Sequence, residues 1–179
     1  MFDSSYPIKP LGISTNISQK YLKKIYKYFF DTEEGTRYII HLEQYPNKIF
    51  VVKFYPRKLK NDKFRYNVLI NRGHFTKIIR TNINLLISFY KQYPDSHFGF
   101  IGAKTYCPIK KVFTESESMT RRFKIYRYAM VNLINPDDFD HHEDKNKSTY
   151  LLINSKTLIG DKIKSEATKM FEDCMDLAL

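Results

Sequence analysis

Between Lys24 and Ile70 four successive segments, KIYKYFFD, TRYIIHLEQY, KIFVVKFY and KFRYNVLI, are dense in Tyr, Phe, Ile and Val, and directly after them the apolar period changes. β-Branched and aromatic runs of this length read as strands. The breaks TEEG and PN are short turns and PRKLKND is a longer basic loop, so neighbouring segments pair antiparallel as a four-stranded meander. In KFRYNVLI, Phe64, Tyr66, Val68 and Ile70 alternate with Arg65, Asn67 and Leu69, which sets one apolar face against a partly polar one.

Past Asn71-Arg72-Gly73 the spacing becomes three and four. Phe75, Ile78, Ile79, Asn82, Leu85, Leu86, Phe89 and Tyr90 predict an amphipathic helix, with Thr76 as a candidate N-cap and Pro94 as its stop. HFGFIGAK reads as a short buried strand whose Gly99 and Gly102 allow close approach of backbone or ligand. TYCPIKKVF follows as a loop or short extension. Thr114-Glu115-Ser116-Glu117 fits a capping box for a helix over 115–134, with Met119, Phe123, Tyr126, Met130 and Leu133 on one stripe. That register places Arg121, Arg122, Lys124 and Arg127 on its flanks and outer face. STYLLIN at 148–154 is a further strand, and Asp161 to Leu177 a closing helix with Ile163, Ala167, Met170, Phe171 and Cys174 inward.

The order predicts an α+β fold: an antiparallel meander followed by α-β-α-β, a mixed sheet covered by helices. The 179 residues fit a single domain, with 1–23 as an N-terminal extension and 155–179 as a C-terminal helical segment. There is no run long enough to span a bilayer and no signal-peptide pattern, so a cytoplasmic location is expected. Cys107 and Cys174 lie in no metal or redox spacing, which suits a reducing compartment.

This order of elements resembles the GCN5-related N-acetyltransferases (GNAT), with RYNVLI in the place of that family's central strand, 71–90 as loop and helix, HFGFIGAK as the next strand and 115–134 as the later helix. The resemblance implies acetyl coenzyme A as cofactor and Tyr126 or Tyr128 as general acid. The family's pyrophosphate loop, Arg/Gln-x-x-Gly-x-Gly/Ala, is not matched: 71–76 reads Asn-Arg-Gly-His-Phe-Thr, with a single glycine and bulky His74 and Phe75 where phosphate passes. Residues 85–154, above all TRRFKIYRYAM after FGFIGA, also resemble small bacterial proteins of unknown function, which implies a shared fold and no activity.

Charge supplies the functional expectation. Residues 1–80 hold 16 Lys and Arg against 6 Asp and Glu, a surplus of ten, and residues 81–179 hold 14 against 13. Such a field attracts phosphates or an acidic partner. Arg72, Arg121, Arg122 and Arg127, assisted by Lys58, Lys60 and Lys63, are the expected contacts to nucleic acid or another anionic macromolecule. Tyr26, Tyr28, Tyr55, Tyr66, Tyr126 and Tyr128 interleave with cations as stacking platforms do. A bacterial toxin–antitoxin or phage-defence setting suits this size and charge, and docking of an acidic protein is a third expectation. Arg72-Gly73-His74 at a helix start is a candidate phosphate site. DDFDHHEDK reads as a solvated acidic loop with no metal spacing, and no nucleophile elbow is present.

Overall fold

A computed structural model describes residues 4–68 and 72–176, the side chains of Arg72 and of 174–176 excepted. Its strands are β1 (Lys9–Ser14), β2 (Lys24–Asp31), β3 (Arg37–Tyr45), β4 (Ile49–Pro56), β5 (His97–Ile101), β6 (Tyr106–Cys107), β7 (Val112–Phe113), β8 (Phe139–Asp144) and β9 (Thr149–Asn154). Its helices are α1 (Phe75–Gln92), α2 (Arg121–Leu133) and α3 (Gly160–Asp176). Among the described residues the fold is α+β, an antiparallel meander leading into a mixed seven-stranded sheet of order β1-β2-β3-β4-β5-β9-β8, with β6 and β7 a separate small hairpin.

The inner strands β3, β4, β5 and β9 are buried on both faces, and strand alternation divides their side chains between two cores. Phe50, Val52 and Phe54 of β4 join Phe98, Phe100, Tyr150 and Leu152 under α1 and α2. Ile49 and Val51 join Leu151 and Ile153 under Ile163, Ala167, Met170 and Phe171 of α3. The expected inward face of α3 is thus present through Phe171, and Cys174 lies outside the described side chains.

The meander differs from expectation at both ends. KFRYNVLI is not its fourth strand: Lys63–Asn67 are turns, and Leu69 and Ile70 lie outside the described residues. Local bonds hold the segment off the ladder. Asp62 Oδ1 accepts from Phe64 N at 2.7 Å, Arg65 Nη1 donates to Lys60 O at 2.7 Å, and Asn67 N donates to Phe64 O at 2.7 Å. The fourth antiparallel strand is instead β1, inside the supposed N-terminal extension, paired with β2 from Lys9↔Phe29 to Ser14↔Ile25 around an irregularity at Pro10/Gly12. The acidic stretch expected as a loop is likewise edge strand β8, with His141 paired to Leu152 of β9.

α2 starts later than the capping-box reading placed it. Thr120 is its N-cap and accepts from Phe123 N at 3.1 Å. Glu115 still serves this helix end, accepting from Arg121 N at 2.8 Å. The α1 N-cap is His74, without a side-chain capping bond, and not Thr76.

Candidate ligand cleft

β4 and β5 form the parallel pair of the sheet, and they touch over three residues only: Ile49↔His97, Phe50↔Phe98 and Val51↔Gly99. Beyond Val51 the two strands part. β4 continues antiparallel to β3 as far as Pro56, and β5 continues antiparallel to β9, Ile101 pairing with Thr149. Each strand is held by its outer neighbour, so the gap between them cannot close. A cavity of about 480 Å³ opens there, reached by Val51–Phe54 from one side and Ile101–Lys104 from the other. Crevices beyond the carboxyl ends of parallel strands are where open sheets with crossover helices receive ligands.

Glycine makes the floor possible. A Cβ on Gly102 would stand 2.6 Å from both Phe123 Cβ and Thr120 Oγ1, and one on Gly99 would stand 2.7 Å from Phe171 Cζ. The two glycines admit α2 and α3 against β5, and the close approach is by protein and not by ligand. Gly102 O also accepts from the Thr120 hydroxyl at 2.7 Å, which fixes the start of α2 over the cleft. Gly102→Ala is expected to cost about 1–3 kcal/mol, read as a lower urea midpoint, because the α2 N-terminus must move.

The segment expected as a strand crosses the open end of the gap as a strap. Asn67 Nδ2 donates to Lys104 O at 2.9 Å and Asn67 O accepts from Tyr106 N at 3.0 Å. Phe64 packs on Tyr106 and Phe113, ring centroids 4.1 and 5.4 Å apart. On the other side the Tyr66 hydroxyl lies 3.0 Å from His41 Nδ1. Burial lowers His41 to a pKa of about 4, against the pull of Glu43, and raises Tyr66 to about 12. Both are neutral at pH 7, so this tether carries no net charge.

The expected contact residues separate. Arg122 is 4% exposed, so it is not on the outer face of α2; its Nη1 donates to Tyr66 O and its Nη2 to Val68 O at 3.0 Å. Arg127 is outward but paired with Glu143. Arg121 is exposed. Lys58 and Lys60 line, with Arg37, Arg57 and Gly35, an open concavity of about 510 Å³ beside the β2–β3 turn. Lys63 lines the cleft together with Arg122. Arg72 sits in a short 3-10 turn, Arg72–His74, and its side chain is outside the described residues. The tyrosines do not form an exposed platform either, since Tyr55 and Tyr126 are buried and Tyr26, Tyr28 and Tyr66 half-buried. Tyr128 is half-exposed on α2, away from the cleft lining that Tyr126 joins.

The α1 N-terminus is already occupied by carboxylates. Glu34 lies 3.3 Å from His74 Nε2, and Glu33 accepts from Lys77 and, at 2.6 Å, from the Tyr6 hydroxyl. Lys77, then Tyr6, hold Glu33 down at a pKa of about 2. An unfolded glutamate titrates near 4.3, so the stabilisation from Glu33 is complete above that pH and lost as pH falls toward 2. Glu33→Gln is therefore expected to flatten the acid side of a stability-versus-pH curve in that window and leave pH 7 to 8 behaviour parallel to the parent, as measured by urea midpoints.

In the cleft wall Lys53 is paired with the buried Glu43 at 2.7 Å and Lys147 lies 3.8 Å from Glu117. Among the described residues Arg122, Lys63 and Lys104 line it without a carboxylate partner. Tyr126 lines it as well, and burial raises its pKa above the ordinary phenol value, opposed by Arg122. No three His, Cys, Asp or Glu among the described residues gather as a metal site, and no described helix is long and apolar enough to cross a membrane.

No protein-family model, no curated protein and no solved structure matches this chain.

Proposed function

We propose that the protein binds an anionic small molecule in the cleft between β4 and β5. The observation that carries this reading is the charge of the cavity wall: Lys63, Lys104 and Arg122 line it without a carboxylate partner among the described residues, beside Lys53 and Lys147, which are paired with Glu43 and Glu117. The remainder is apolar and aromatic, including Phe54, Phe64, Phe113 and Tyr126. Convergent polar groups on an apolar concavity favour a ligand with a greasy body and a charged head. Binding of a polyanion along α2 is less favoured, since Arg122 points inward and Arg127 is neutralised by Glu143.

A second reading, acyl transfer from acetyl coenzyme A, is favoured by Tyr126. Its buried phenol lines the gap, and Tyr126 is one of the two tyrosines of α2 that the GNAT resemblance gives as general acid, although RYNVLI, which that resemblance makes the central strand, is not a strand over its described residues. Against it stands Glu33 with Glu34 at the α1 N-terminus, where they repel the diphosphate that this family holds at that helix.

Thermal unfolding with phenyl phosphate, 4-phenylbutyrate, acetyl coenzyme A and a single-stranded RNA discriminates these. The first reading expects stabilisation by at least one of the two small anions, about 2.7 kcal/mol at a hundredfold excess over Kd, and none by benzyl alcohol. Stabilisation by acetyl coenzyme A alone transfers the assignment to the acyltransferase. Salt-sensitive stabilisation by RNA alone transfers it to nucleic-acid binding.

A further inference from the structure

Arg122 is a charge in a place built for an apolar residue. Phe123, Tyr126, Ala129 and Met130 around it on α2 are buried, and Arg122 itself is as hidden as they are. Among the described residues it has no carboxylate within ion-pair distance. Its nearest helpers are neutral: the carbonyls of Tyr66 and Val68. Its Nε is buried with no acceptor among the described residues. Burial draws its pKa down, and the weaker pull of Tyr126, Glu115 and Tyr38 opposes this.

An ion removed from water without a counter-ion is expensive, and a buried N–H without an acceptor adds to that cost. A methionine at 122 would fill the same stripe without either cost. Pinning the strap does not require a charge, because Asn67 already ties it to Lys104 and Tyr106. What a guanidinium offers and these groups lack is a planar fork of five donors that matches an oxyanion. Two of those donors are used on carbonyls. Three remain, one on each Nη and the buried Nε proton, which has no acceptor among the described residues, and Arg122 lines the cavity.

We propose that Arg122 is the anchor for the terminal oxyanion, carboxylate or phosphomonoester, of a ligand whose apolar body lies against Phe54, Phe64, Phe113 and Tyr126. This rests on the cleft reading above and adds which group holds the charged head. Lys63 and Lys104, nearer the strap and β6, then supply field and not fixed geometry.

Calorimetric titration of the full chain with phenyl phosphate and with 4-phenylbutyrate tests it. The parent is expected to bind at least one, and the stronger of the two identifies the head group. Arg122→Lys keeps the charge and loses the fork, and is expected to weaken binding about tenfold or more, with Arg122→Gln weaker still; Lys104→Ala is expected to change it only a few-fold. If both Arg122 variants fold and bind like the parent, the anchor assignment is overturned while the cleft reading survives. If the parent binds neither probe, both fall. Should the variants not fold, the Arg122 Nε–H resonance of the parent decides: it is expected to move on saturation with the bound probe, and a resonance that stays in place overturns the assignment.

Discussion

Truncating Phe100 to alanine is expected to remove about 3–5 kcal/mol of stability, seen as a large drop in urea midpoint with the slope of the transition unchanged. Phe100 is 1% exposed near the end of β5, stacked on Tyr150 at 5.2 Å and tilted against Tyr126 at 4.7 Å. It joins β5 to β9 and to α2 behind the cleft floor, so no neighbour can move into the hole without giving up its own packing. Domains of this size are stable by about 5–15 kcal/mol, which makes one ring a large share of the total. A loss under about 1 kcal/mol would mean that α2 is not packed on β5 as described.

Acidification should produce the second large effect, through His41. Its folded pKa is lowered to about 4 by burial on β3, while an unfolded histidine titrates near 6.5. Above pH 6.5 both states are neutral and folding carries no proton cost. As pH falls from 6.5 to 4 the unfolded chain takes up a proton that the folded chain refuses, and stability is lost at up to 1.36 kcal/mol per pH unit, about 3 kcal/mol in all. Below 4 the loss from this group levels off, and Glu33 and the other depressed carboxylates take over. Urea midpoints between pH 7 and pH 4 for the parent and His41→Gln should diverge by that amount, the variant being the flatter. Parallel curves would show that His41 is solvated and that its contact to Tyr66 is not a closed tether.

These expectations fall on elements that differ in how plainly they were written in the sequence. β3 and β4 were legible because their residues are buried on both faces, β2 because its run of Ile, Tyr and Phe is half-buried or buried throughout, and the stripe of α2 because Phe123, Tyr126 and Met130 fill the core at the predicted spacing. β1 left no trace: KPLGIS carries Pro and Gly, and Leu11 and Ile13 are exposed, so an edge strand without a buried face has no period to read. β8 was hidden for the same reason by its charges. The strap misled in the other direction. Its alternation of Phe64, Tyr66 and Val68 suits a strand, yet each side chain finds a separate partner, Tyr106 for Phe64 and His41 for Tyr66, which pairwise spacing within the segment does not reveal.

The site was half legible. Tyr126, Gly102, Lys63 and Arg122 were all singled out, but Arg122 was placed outside because a charge on a basic helix is ordinarily solvated. Its position was nevertheless encoded: 122, 126, 129 and 133 continue at spacings of four, three and four, which puts the arginine on the edge of the buried stripe. What the sequence did not contain is the parting of β4 from β5, since it arises from β4 being committed to β3, its neighbour in the chain, and β5 to β9, which follows only after α2 and β8.

The most direct test of the cleft is a backbone amide NMR titration with phenyl phosphate. The account predicts saturable shifts confined to Val51–Phe54, Lys63–Val68, Ile101–Lys104 and the first two turns of α2. Shifts centred instead on Arg57, Lys58 and Lys60, or spread over surface lysines without saturation, would contradict it.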